Sequence, residues 1–106
     1  MPSLLPRAVE QLRKRHPDIW KAFNDLGDRC HKAGPLDEKC RRLVKLALSI
    51  GAGLEGATHS AARNARAGGV TDEEMEHVAL LAVTTLGLPA ATRAWTWIAD
   101  GSRRKK

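Results

Sequence analysis

Glu55 and His59 stand four residues apart in the run Gly51-Ala-Gly-Leu-Glu-Gly-Ala-Thr-His-Ser60. On a helix that spacing puts both side chains on one face. A carboxylate beside an imidazole can orient its tautomer, the ordinary way to build a general acid or base. The neighbours are Gly, Ala, Leu and Thr, small enough to leave room for a ligand. The pair also has a plain structural account. Glu55 in a first helical turn suits the helix dipole, and Glu–His at this spacing is an ordinary surface pair.

Two cysteines, Cys30 and Cys40, are the other nucleophiles. Cys40 lies among Lys39, Arg41 and Arg42, near the expected start of a helix. Cations and a helix N-terminus favour a thiolate, which makes Cys40 a candidate reactive thiol; an inert half-buried cysteine is the alternative. The histidines are His16, His31, His59 and His77. No two are spaced i, i+4, and neither HExxH nor CxxC occurs, so no metal site and no cofactor is expected.

Helices must position these groups. Tyr is absent and Phe occurs once, while Ala, Leu, Arg, Lys and Glu dominate. Breakers at Pro6, Pro17, Gly27, Gly34-Pro35, Gly51/Gly53, Gly68-Gly69, Gly87/Pro89 and Gly101 divide the chain into about six helical segments. The first spans about Pro6 to Arg15. The second opens on Pro17 and carries Ile19, Trp20, Phe23 and Leu26 at helical spacing, which reads as core. The third, from Asp37 to about Ile50, is capped by Asp37, and its apolar residues predict burial on most sides. The fourth runs from Glu55 to Ala67. Thr71 and Glu74 form a capping box that opens the fifth, with Met75, Val78, Ala79, Leu81, Ala82 and Leu86 inward. Pro89 opens a sixth with Trp95, Trp97 and Ile98. Residues 1–35 read as N-terminal helices, joined in one domain with a core at 36–100, and 101–106 as a basic tail. The third and fifth helices carry more apolar surface than a small domain covers, which predicts a homo-oligomer.

Composition narrows the function classes. With 106 residues, 42% hydrophobic and 28% charged, the chain is one ordinary globular domain. No apolar run approaches the ~20 residues of a membrane span. The basic, weakly apolar start and the two cysteines suit a cytoplasmic protein with reduced thiols. The net charge of +6 is concentrated in Arg103-Arg104-Lys105-Lys106 and in the first 45 residues. Without interleaved aromatic residues this reads as a solvated helix end rather than a nucleic-acid surface.

The run from Leu36 to Asp100 resembles the carboxymuconolactone decarboxylase family, which includes the AhpD-like alkylhydroperoxidases. The pieces that carry the likeness are LDEKCRRLVKLALSIGAG, then LEGATHSAARNARAGGVTDEEMEHVALLAVTTLGLPAA, then Trp97-Ile98-Ala99-Asp100. The resemblance implies an all-α, AhpD-like fold assembled as trimers or hexamers. The family's thiol peroxidases use a CxxC pair, a His four residues after the second Cys and a Glu twelve before the first. Laid on this chain, the cysteine positions are Leu54 and Ala57, the His position is Ala61 and the Glu position is Arg42. None can serve as nucleophile or proton donor in that relay. What remains resembles a branch without CxxC, in which an LEGA-x-HS stretch follows the Gly/Ala turn. That branch likeness implies that Glu55 and His59 line a pocket for a small organic acid, with Arg63 or Arg42 as cations. Two alternatives stand beside it: residual peroxide chemistry through Cys30 and Cys40, and a non-catalytic interaction protein.

Overall fold

Polar caps and prolines punctuate the chain into helices. The computed structural model describes residues 6–104, and side chains as far as residue 102. The elements are α1 (Arg7–Arg15), α2 (Pro17–Lys32), α3 (Glu38–Gly51), α4 (Glu55–Ala67), α5 (Asp72–Leu86) and α6 (Leu88–Arg104). No strand occurs among the described residues. The Asp37 carboxylate accepts from the Cys40 N–H at 2.8 Å and starts α3. Thr71 and Glu74 exchange both bonds of the capping box, at 2.9 and 3.1 Å. One residue, Gly87 at φ 103°, joins α5 to α6.

The chain divides into two compact units, residues 1–35 and 36–106. The first holds α1 and α2, separated by His16 alone. In the second, α5 lies along α6 and α3 along α4, and α4–α6 and α3–α5 contacts close the bundle. Its core is Leu46, Ile50, Ala62, Ala65, Val70, Met75, Ala79, Ala82, Ala91, Ala94 and Ile98. Alanines predominate, so the helices approach closely and small changes in side-chain volume are felt.

Four expectations need correction. Phe23 and Leu26 are exposed and Trp20 is half-buried, so the α2 stripe is not core. On α3 only Leu46 and Ile50 are buried, while Val44 and Leu48 face outward. Leu81 and Leu86 of α5 are likewise exposed, whereas Met75, Ala79 and Ala82 are buried and Val78 packs against the core. A four-helix unit this small cannot enclose every face of its apolar helices. Finally, Gly27 and Gly101 do not break the chain: both lie inside helices, α2 and α6. The basic tail thus begins within α6, although Lys105 and Lys106 lie outside the described residues.

Candidate functional site

Glu55 opens α4 and His59 follows one turn later. His59 Nε2 stands 3.3 Å from Glu55 Oε2, a long hydrogen bond. The two ends of the pair differ. The Glu55 side chain is 62% exposed and that of His59 only 15%. His59 Nδ1 is shut away from solvent with no hydrogen-bond partner. Leaving a buried polar nitrogen unpaired costs about 1–3 kcal/mol. Because a carboxylate only accepts, the imidazole donates to Glu55 only when Nε2 carries a proton.

Long-range packing adds a second part, from α6. The Trp97 ring lies 6.3 Å from the His59 ring, tilted by 50°. One turn earlier, the Arg93 guanidinium carbon sits 5.3 Å from the Trp97 ring centroid. A side chain at Gly53 would bring its first carbon to 3.7 Å from Arg93 Nη2, which places the guanidinium beside the turn before α4. Gly53 has φ +70°, a conformation that glycine adopts without strain. His59, Trp97, Arg93 and Gly53 thus form a chain of contacts from α4 through α6 to the α3–α4 turn. The spacing Arg93-x-x-x-Trp97 was the signal for the stacked pair, since residues four apart share a helix face. Nothing local announces that Trp97 meets His59.

The other expected site residues are placed differently. Arg42 Nε donates to Glu38 Oε1 at 2.9 Å, and Arg41 Nη2 to Glu38 Oε2 at 2.7 Å. These guanidiniums, Arg41 foremost, hold the Glu38 carboxyl below its ordinary range. Arg63 lies one turn beyond His59 and is half-buried. Cys30 and Cys40 are free thiols, exposed and half-buried, one in each compact unit. Cys40 borders an open apolar groove of about 380 Å³ between α3 and α5, lined by Leu43, Val44, Val78 and Leu81 among others. No group of three or more His, Cys, Asp or Glu among the described residues could hold a metal ion. No described helix is long and apolar enough to cross a membrane.

At the far end of the α4–α6 seam lies a polar network with no counterpart in the sequence reading. Arg66 donates from Nε to Asp72 Oδ1 at 2.7 Å and from Nη2 to the Ile98 carbonyl at 2.6 Å. Ser102 donates to the other Asp72 oxygen at 2.7 Å. A β-carbon at Gly101 would fall 2.5 Å from Arg66 Nη1, so the glycine makes room for this guanidinium.

Residues 17–100 match the model of the carboxymuconolactone decarboxylase family. The chain belongs to that family. The match reaches further back than the resemblance at 36–100, taking in all of α2. It also spans α3 to α5 and most of α6, and so contains the whole Glu55–His59–Trp97–Arg93 cluster of this family member. No curated protein and no solved structure matches the chain.

Proposed function

We propose that this carboxymuconolactone decarboxylase family protein binds or transforms a small organic acid, with Glu55 and His59 as an acid/base pair. The observation that carries the reading is the state of His59: an imidazole mostly buried, one nitrogen on an exposed carboxylate and the other sealed and unpartnered. Proton traffic therefore runs through Nε2. With the resting proton on the sealed Nδ1, the Nε2 lone pair can take a proton from a ligand, and the exposed Glu55 carboxylate then accepts from the Nε2–H of the imidazolium and orients the ring. Buried nitrogens are normally satisfied, and His59 Nδ1 is among the few here that are not.

Leu54 and Ala57 stand at the cysteine positions of the family's thiol peroxidases, and neither can form a sulfenate or a disulfide. The family's CxxC route to peroxide reduction is accordingly absent, and wild type and Cys30→Ser/Cys40→Ser should both fail to consume peroxide with a dithiol reductant. Thiol-dependent turnover that disappears in the double variant would replace this reading with a redox one. The proposal includes self-association as a trimer or hexamer, supported by the exposed Leu48, Leu80, Leu81 and Leu88. Light scattering on the purified chain tests it, and a monomer at micromolar concentration would contradict it.

The site is tested by titrating small linear and cyclic carboxylates while following the His59 ring resonances and any turnover. Binding should move those resonances. His59→Ala should lower any turnover found by roughly 10²–10⁴-fold, and Glu55→Gln by less. Ring resonances indifferent to every acid, or turnover unchanged in His59→Ala, would overturn the reading.

A further inference from the structure

We propose that Arg93 is the carboxylate-binding residue of the His59 site, gripping one carboxylate of the ligand while it lies stacked on Trp97. The proposal rests on the reading that Glu55 and His59 face an organic acid. It is carried by how Arg93 is held: Arg7, Arg15, Arg29 and Arg63 also show no carboxylate partner among the described residues, but Arg93 is the one set over an aromatic ring beside His59. Arg13 is paired with Glu10, Arg41 and Arg42 with Glu38, and Arg66 with Asp72. Arg93 has no carboxylate partner among the described residues, yet it is not a free surface chain. Its guanidinium lies over Trp97 at 5.3 Å and beside Gly53.

That placement suits anion recognition. Stacking uses the flat face of a guanidinium and leaves the N–H groups, which lie in its plane, free to meet both oxygens of a carboxylate. The stack also fixes in advance a side chain that would otherwise lose rotamer freedom on binding. Gly53 presents no side chain on the neighbouring turn, so that edge of the guanidinium stays open. The aromatic ring that holds Arg93 also meets His59, so the cation and the acid/base pair belong to one ring-centred cluster. Of the cations expected from sequence, Arg42 is already committed to Glu38. Arg63 lies on the His59 stripe of α4 without a comparable stack.

The test measures binding of benzoate and of its neutral isostere benzamide to the full chain, read from the Trp97 indole and His59 ring resonances. Benzoate should bind more tightly than benzamide. Arg93→Gln should weaken benzoate by about tenfold or more and leave benzamide unchanged, and Arg93→Lys should restore only part of the loss. Arg63→Gln and Arg42→Gln should weaken benzoate by no more than about twofold, as distant charges do. Equal losses in all three glutamine variants, an Arg93→Gln affinity equal to wild type, or no benzoate binding by the wild type would each overturn the assignment. The two readings separate cleanly. If benzoate moves the His59 resonances equally well in Arg93→Gln, the acid/base site stands and the Arg93 role falls. If binding depends on Arg93 while the His59 ring never responds, Arg93 binds anions and the acid/base reading falls.

Discussion

Arg66 and Arg93 both sit on the seam between α4 and α6, and they are used in opposite ways. Arg66 is committed: its side chain is 6% exposed, its Nε and Nη2 donate to Asp72 and the Ile98 carbonyl, and Gly101 makes room for it. Arg93 is exposed, stacked on a tryptophan and without a carboxylate. A cation that donates to a carboxylate and a carbonyl of its own chain fastens helices; one held in place without such partners is available to something else. The seam is therefore pinned at its C-terminal end and chemically open at the other. The histidines repeat the point at residue scale, since His59 is the one that packs on the seam's aromatic ring.

The largest test of this contrast is Arg66→Ala. It removes charge-assisted bonds to a carbonyl 32 residues away and should cost about 2–3 kcal/mol in denaturant unfolding. Arg93→Gln should stay within about 0.5 kcal/mol, and an equal loss at both positions would erase the distinction. Next comes Gly101→Ala, which forces the Arg66 guanidinium aside and should cost about 1–3 kcal/mol. In an Arg66→Ala background most of that penalty should vanish, and purely additive losses would show that the glycine serves some other end. Gly53→Ala strains the left-handed turn and should cost about 1 kcal/mol, with weaker benzoate binding if the new methyl crowds Arg93.

The smallest effect belongs to a solvent-facing pair outside the seam, an exposed lysine and a half-buried glutamate. Lys39 and the backbone N–H of Thr71, in that order, hold the Glu74 carboxyl below its ordinary range. A carboxylate whose folded pKa is depressed adds stability above its unfolded pKa and loses it as pH falls through the folded value. Glu74→Gln keeps an acceptor for the Thr71 N–H but loses the charge. The variant should be slightly less stable than wild type at neutral pH, and the gap should close on acidification below the usual glutamate range. A gap that persists in acid would mean that Lys39 contributes nothing there.

What sequence made legible was local. The Asp37 cap, the Thr71–Glu74 box and the Glu55–His59 pair all join residues three or four apart, and each is realised in the fold. The family likeness, carried by motif order between Leu36 and Asp100, is likewise upheld by the match over 17–100. The seam was not legible, because Arg66 to Ile98, Asp72 to Ser102 and His59 to Trp97 pair residues 30 or more apart or otherwise distant in the chain. Gly101 shows the cost of a purely local rule: a glycine usually weakens a helix, yet here its missing side chain is the space another residue fills. Leu81 and Leu86 misled for a different reason. Apolar periodicity reports which faces avoid water, not whether one copy of the chain supplies their cover.

Gly87 bears on the order of events during folding. A single residue between two helices of 15 and 17 residues leaves almost no loop to close, so the α5–α6 hairpin can form before contacts that span longer stretches of chain. Alanines buried along that hairpin, Ala79 and Ala94, should then slow folding when changed to glycine, whereas Ala62 on α4 should mainly hasten unfolding. The seam that carries the open arginine would accordingly be assembled last, by α4 docking onto a hairpin already made.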